Sequence, residues 1–337
     1  MPPTAPPVPF DSRLPLSLEI LRGICARRGF GFAVVDAFSG HLAQVSCPRT
    51  GRFFLTGTGS LAAYPGNDSV LAGVARDKAF AAQLLAQLGI GVPHGEYFFL
   101  NSDFVDQRPG GRELDAAERY LDAQFARSRA PLVIKPNHLS RGRFVTLARN
   151  TAEGMADLRA MAAKDAIGHV QQLIHAPEFR LFIVEGEIVF GHARGKPVVI
   201  GDGRRSIRDL TRASQVGSLR DARYLAHVTA ARGLTLDSVL PEGELLPVSF
   251  ITNLSASGAL LGFVEPSEAL QLWARRLYAG FPLKVMGLDV FSASSLADPG
   301  DIIVTDVNAS PGLTMVYGAG HRDVVERVWE RILASVF

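Results

Sequence analysis

The 337-residue sequence predicts an α+β protein built on antiparallel sheets. Short apolar runs of strand length alternate irregularly with amphipathic helical stretches. Two of these runs meet at a tight turn, Glu185-Gly186, which reads as a hairpin. Two more near the C-terminus carry acids where a core strand should carry none.

Along the chain, residues 14–28 repeat apolar positions at helical spacing, FGFAVVDAF (30–38) reads as a buried strand and RFFLTG (52–57) as another. Together they predict a small α/β unit over 11–75, preceded by a disordered Pro-rich tail, 1–10. A helix opens at Asp77-Lys78 and stops at Gly89 and Gly91. EYFFL (96–100) reads as a strand, 112–129 as a charged surface helix and PLVIKP (131–136) as a strand. HLSRGRFVTLA (138–148) turns into a further strand, and 151–166 reads as a helix capped by Thr151. HVQQLI (169–174), the hairpin 178–194 and VVIGDG (198–203) supply more strands, while 269–281 and 321–337 read as helices. The expected division is a central subdomain over 76–170 and a C-terminal one over 171–337.

The acids sit in Met286-Gly-Leu-Asp-Val-Phe and Ile302-Ile-Val-Thr-Asp-Val-Asn. Side chains two apart on a strand point the same way, so Asp306 and Asn308 share a face and Val307 takes the other. A lone buried carboxylate costs several kcal/mol unless it is paired or binds a cation. Asp289, Asp306 and Asn308 offer three hard oxygen donors of the kind Mg²⁺ takes. The other reading, acids that end their strands solvated or paired with Arg, stays open at this level.

Composition narrows the classes. The chain is 47% hydrophobic and 20% charged with a net charge of +2, an ordinary globular balance without the basic stripe of a nucleic-acid binder. Cys25 and Cys47 imply no disulfide framework, so a reducing cytoplasm is expected. The opening MPPTAPPVPF lacks the basic and apolar regions of a secretory signal, and no apolar run reaches membrane-spanning length. Gly57-Thr-Gly-Ser-Leu-Ala62 matches a dinucleotide fingerprint, but Tyr64-Pro65-Gly66-Asn67 breaks the helix it requires. No P-loop is present, since Gly195-Lys196 runs into Pro197.

Several charged residues stand in apolar settings: Lys78 heads a helix, Lys135 ends a strand, and Glu178 and Arg180 share a strand face. Alone, each has a plain structural explanation: a helix-end charge, a snorkelling strand end, a surface pair. Their order is what resembles the ATP-grasp superfamily, specifically its carboxylate–amine ligases. The likeness is strongest to the ATP-grasp module of cyanophycin synthetase and of bifunctional glutathione synthetases, with D-alanine–D-alanine ligase more distant. It runs from about residue 70 to 318, through Asp77-Lys78, Gly89-Ile-Gly-Val-Pro93, Val133-Ile-Lys-Pro136 and Glu178-Phe-Arg180. It continues with Val199-Ile-Gly-Asp-Gly203, Leu234-Thr-Leu-Asp-Ser-Val239, Asn253-Leu-Ser255, Gly287-Leu-Asp289 and Asp306-Val-Asn-Ala-Ser-Pro-Gly312.

The resemblance implies two α+β subdomains gripping ATP between antiparallel sheets. It implies that Lys78, Lys135 and the loop His138–Arg143, with Arg141 and Gly142, contact the phosphates. Gln171, Gln172 and Ile174 would meet adenine and Glu178 the ribose, with Asp289, Asp306 and Asn308 holding Mg²⁺, or Mn²⁺ in its place. Arg180, and more weakly Arg194, would stabilise charge during transfer. The implied reaction makes an acyl phosphate from an amino acid or small-peptide carboxylate, then an amide with an amine, releasing ADP and phosphate. Rival readings are transfer to a thiol or carrier protein, and a non-catalytic nucleotide-binding module. The expected partners are small-molecule substrates, with no nucleic acid and no membrane, and a homodimer is admitted.

The sequence also departs from the family pattern. Gly142 stands between two arginines where the phosphate loop is usually richer in glycine. Asp306 replaces the usual Glu, and Ser249 lies near the place of an Arg that commonly precedes N-L-S. The second ligase domain of cyanophycin synthetase is missing from this sequence, so a single ligation is expected.

Overall fold

A computed structural model describes residues 14–101, 110–140, 142–214, 222–250 and 259–337. The expected tail 1–10, Arg141 and the Asn253-Leu-Ser255 motif lie outside the described residues.

Helix α1 (Leu16–Arg28) ends on Gly29, whose φ of 73° supplies the left-handed C-cap. It is followed by strands β1 (Gly31–Val34), β2 (Leu42–Ser46) and β3 (Phe53–Gly57), which form an antiparallel sheet in that order. The strand expected over 30–38 is shorter and less buried than predicted. The chain turns at Asp36, whose carboxylate accepts from the backbone of Phe38 and Ser39, and Val34, Val35 and Phe38 are exposed.

Helices α2 (Ser69–Arg76) and α3 (Lys78–Gln87) follow almost without a break. Asp68 caps the first and Asp77 the second, each accepting a backbone N–H from the first turn. Sequence reading placed no helix over 69–76. Ala72 and Ala75 of α2, with Ala81 and Leu85 of α3, join the core that includes Val304 and Val307. The helix-breaking Asn67 has a structural role: its amide bonds Val285 in both directions and Ala309 O, stapling this loop to the later strands.

A four-stranded sheet comes next, from β4 (Gly95–Phe99), β5 (Leu132–Pro136), β6 (Thr146–Ala148) and β7 (Ile167–Gln172), ordered β4-β7-β5-β6. Helices α4 (Leu114–Arg127) and α5 (Thr151–Met161) cover one face through Ala117, Leu121, Met155 and Leu158. The cap of α5 is Asn150 rather than Thr151, because its side-chain oxygen reaches Glu153 N at 2.9 Å.

The segment 173–177 then leads into a five-stranded sheet. Strands β8 (Glu178–Val184) and β9 (Glu187–Gly195) form the expected hairpin, with Glu185 and Gly186 both at positive φ as a two-residue turn of this kind requires. A small lobe follows: β10 (Val198–Ile200), α6 (Ile207–Ala213), α7 (Ala222–Ala231) and β11 (Leu245–Pro247), with its own core around Ile207, Leu225 and Leu246. Strand β12 (Ala259–Val264), helix α8 (Glu268–Gly280), β13 (Val285–Phe291) and β14 (Ile303–Asn308) complete the sheet in the order β12-β9-β8-β13-β14. Helices α9 (Thr314–Gly318) and α10 (Arg322–Val336) close the chain.

Both faces of this central sheet are covered. Leu181, Ile183, Met286 and Leu288 face α8, while Phe182, Val184, Phe190 and Val285 face α10 and α1. The antiparallel register carries the second face onward as Arg180, Asp289 and Asp306, so one sheet face is apolar at one end and charged at the other. The charged end is the candidate site.

Candidate active site

Strand register places the site residues opposite one another. Glu178 pairs with Arg194, Arg180 with both His192 and Asp289, Asp289 with Asp306, and Gly287 with Asn308. Two β-bulges make this alignment. One in β9 leaves Val189 unpaired, and one in β14 leaves Thr305 unpaired. The second lets Val304 and Val307 both enter the core on one face while Asp306 points to the other.

The plain alternative for Glu178 and Arg180, a pair at the surface, does not describe their setting, since both lie largely buried among further charges. Glu178 Oε1 accepts from Arg194 at 2.7 Å, and Arg194 also reaches Asp289 Oδ1 at 3.1 Å. Arg180 Nη1 lies 2.9 Å from the same Asp289 oxygen. So Asp289 is indeed paired with arginine, the alternative that the sequence left open. Yet Arg180 Nη1 and Arg194 Nε are buried without a hydrogen-bond partner, since the first is not aimed along its ion pair. Buried donors of this kind are costly unless something accepts from them. His192, opposite Arg180 and two residues before Arg194 on β9, is almost fully buried. Burial and the neighbouring Arg194 and Arg180 push its pKa down to about 4, so it is neutral at ordinary pH.

The four-stranded sheet and α3 bring two cations to the same place. Lys135, at the end of β5 and only 7% exposed, donates to Thr305 O at 3.1 Å. Burial lowers its pKa, and Asp306 opposes that shift. Lys78, at the start of α3, donates to Asn137 O and Leu139 O at 3.0 Å each and stands 3.5 Å from Asp306. Burial alone would raise the Asp306 carboxyl, but Lys135, Lys78 and Arg180 together hold it below its ordinary range.

Four cations therefore converge on three carboxylates: Lys78, Lys135, Arg180 and Arg194 against Glu178, Asp289 and Asp306. The unliganded balance is 4 − 3, a net +1, which suits a polyanion accompanied by a cation. Asp289, Asp306 and Asn308 present only hard oxygen donors on one face, a chemistry that Mg²⁺ accepts. No group of three or more His, Cys, Asp or Glu capable of holding a metal is found among the described residues, so this set depends on Asn308.

The remaining predicted residues lie around this centre. Gln171 and Gln172 end β7, Gln171 being buried, and half-buried Ile174 lies in the segment joining the two sheets. Gly142, at a φ of 66°, lies in the turn between β5 and β6, and Arg141 beside it is outside the described residues. Sequence reading missed His192, His169, Asn137 and the His138–Asp165 pair, all isolated polar residues with no spacing pattern to mark them. Cys25 and Cys47 are buried and free, and no helix among the described residues is long and apolar enough to cross a membrane.

No protein-family model matches the chain. Among curated proteins it is 28% identical over 203 residues to cyanophycin synthetase of Crocosphaera subtropica, covering 55% of this chain and 23% of that one. It is 24% identical over 176 residues to the glutathione biosynthesis bifunctional protein GshAB of Streptococcus thermophilus, covering 48% of this chain and 23% of the relative. Among solved structures, a bifunctional glutathione synthetase from Pasteurella multocida superposes with a TM-score of 0.50 at 18% identity, over 91% of this chain and 41% of that one. The fold is that of the ATP-grasp ligases. The ATP-grasp resemblance thus holds in sequence and in architecture, although this chain spans under a third of the cyanophycin synthetases it matches.

Proposed function

We propose that this chain is an ATP-dependent carboxylate–amine ligase that joins an amino acid or small-peptide carboxylate to an amine through an acyl phosphate. The observation that carries the reading is the meeting of Lys78 and Lys135 from one side with Arg180, Arg194, Asp289 and Asp306 on the charged end of the central sheet. In this reading the chain divides into 11–75, 76–170 and 171–337, with ATP between the last two.

Lys78 and Lys135 take the phosphates as point charges. Gln171, Gln172 and Ile174 line the adenine at the segment between the sheets, and Glu178 takes the ribose with one oxygen already held by Arg194. Asp289, Asp306 and Asn308 would hold Mg²⁺, which would supply charge neutralisation for the phosphates when bound. A substrate carboxylate oxygen attacks the γ-phosphorus and the bond to ADP breaks, leaving an acyl phosphate. Arg180 and Arg194, with donors already buried and unpartnered, stabilise the charge that develops on the transferring group. The amine then attacks the acyl carbon and phosphate leaves with the bonding pair. The chain positions reactants and excludes the water that would hydrolyse the intermediate. A reducing cytoplasm suits its two free thiols.

The test is ADP release with Mg-ATP across amino acids singly and in pairs, with products read by mass spectrometry. An ADP-coupled mass gain equal to two substrates less water is expected. Thermal shift separates this reading from the dinucleotide motif at Gly57–Ala62: ATP with Mg²⁺ should raise Tm and NAD(H) should not. Stabilisation by NAD(H) alone would sink the proposal.

A further inference from the structure

Asn137 directly follows the Lys135-Pro136 strand end and is fully buried, with no accessible surface. Its side chain touches three separate elements. Oδ1 accepts from the backbone N–H of Ala79 in the first turn of α3, at 2.9 Å, and faces His169 Nε2 on β7 at 2.8 Å. Nδ2 faces His138 Nε2 at 3.1 Å. A backbone N–H can only donate, so the atom facing Ala79 is the amide oxygen and the amide orientation is fixed. His169 must then donate through Nε2–H. It is the neutral tautomer, in keeping with burial and the nearby Lys135 and Lys78, which push its pKa well below the ordinary value. His138 Nε2 also lies 3.3 Å from Asp77 Oδ2, and its Nδ1 lies 2.9 Å from Asp165 Oδ1. Asp165 also accepts the backbone N–H of His138 at 2.6 Å.

The same residue places Lys78. Its main-chain carbonyl and that of Leu139 each accept from the Lys78 ammonium at 3.0 Å, and its side chain holds the N–H of the residue after Lys78. We infer that Asn137, held in orientation by neutral His169, is a positioning residue that sets both the Lys78 ammonium and the first residues of the loop after β5. The buried carboxamide thereby ties the start of α3 to the loop whose main-chain carbonyls hold the Lys78 ammonium. This inference rests on the ligase reading in that Lys78 is taken to meet the nucleotide phosphates.

The experiment measures Mg-ATP affinity by calorimetry and steady-state ADP release for wild type, Asn137→Ala, His169→Gln and His169→Leu, with Tm recorded for each. His169→Gln keeps a side-chain N–H at about the distance of Nε2, and His169→Leu removes it. Asn137→Ala and His169→Leu should raise the Kd and KM for ATP on the order of 10-fold, the equivalent of one charge-assisted hydrogen bond, with a smaller change in kcat. His169→Gln should restore most of that loss. Equal ATP affinity in all four proteins, or a lowered Tm with unchanged KM, would overturn the inference and leave Asn137 a packing residue. The same holds if His169→Gln is as impaired as His169→Leu, a comparison that remains decisive if Asn137→Ala does not fold. Failure of the wild type itself to bind Mg-ATP would overturn the ligase reading, and this inference with it.

Discussion

Asp289 and Asp306 stand directly opposite each other on β13 and β14, yet their nearest cations differ, and Arg180 acts on both. Asp289 is held by Arg180 and Arg194 of its own sheet, while Asp306 faces Lys78, with Lys135 nearby, from the neighbouring helix and sheet. Two like charges facing across a strand pair repel. In the ligase reading, the cations that offset this repulsion are the groups a nucleotide would engage. Binding a polyanion here therefore draws cations from the two acids, and a metal ion can take over their neutralisation.

In the ligase reading that exchange gives the acids a functional role. Asp306→Ala or Asn308→Ala should leave Tm within a few degrees of wild type and lower ADP formation on the order of 10²-fold or more, the scale of lost transition-state electrostatics. Near wild-type turnover with Mg²⁺ in either variant would dismiss the metal assignment.

Gly287 faces the same centre from β13. A Cβ there would come 2.6 Å from Pro311 Cβ and 3.3 Å from Arg180 Nη1, so the glycine is required by close approach. Gly287→Ala should cost about 1–3 kcal/mol, as overpacking does, and lower kcat by displacing Arg180. Urea unfolding and kinetics on one preparation check both, and an unchanged kcat would separate the glycine from the arginine.

The element order and the acids on β13 and β14 were legible in the sequence because apolar periodicity and misplaced carboxylates are local signals. The partner of Glu178 was not. A two-residue turn at Glu185-Gly186 with no irregularity would place Arg194 opposite residue 177, on the apolar face. The bulge at Val189 shifts the register by one, sets Arg194 opposite Glu178 and turns it toward the charged face. Bulges leave no clear mark in a single sequence. Nor did Asn137 and His169 stand out, because a buried polar residue shows its importance only through its partners. Helix α2 was missed for a plainer reason: Tyr64-Pro65-Gly66-Asn67 reads only as a helix breaker, whereas Asn67 staples the loop before α2 to later strands.

His192 gives the fold a defined acid sensitivity. Its folded pKa is lowered to about 4, while the unfolded chain titrates near 6.5. As pH falls through 6.5 the unfolded state gains a proton that the folded state refuses, so stability drops until about pH 4 and flattens below it. The full loss from this residue is roughly 3 kcal/mol, from a shift of about 2.5 units at 1.36 kcal/mol each. Urea unfolding at pH 7 and pH 4.5 should show a smaller difference for His192→Gln than for wild type. Equal differences would show that His192 is not held neutral.

Arg180 and Lys135 should fail in different ways. Lys135 already contacts a fixed acceptor, Thr305 O, and in the ligase reading it exchanges this for a phosphate in the ground state and the transition state alike. Arg180 instead carries a buried nitrogen without a hydrogen-bond partner, poised beside Asp289 where transferred charge would accumulate. Interactions made only in the transition state lower kcat when removed, whereas uniform ones raise KM. Arg180→Ala should therefore cost on the order of 10²-fold in kcat, as loss of an oxyanion donor does, with little change in the KM for ATP. Lys135→Ala should raise that KM as well. Steady-state kinetics with ATP varied at saturating substrate decide the matter. If Arg180→Ala keeps its kcat and shows only a raised KM, Arg180 serves binding, and Arg194, which contacts both Glu178 and Asp289, becomes the group that meets the developing charge.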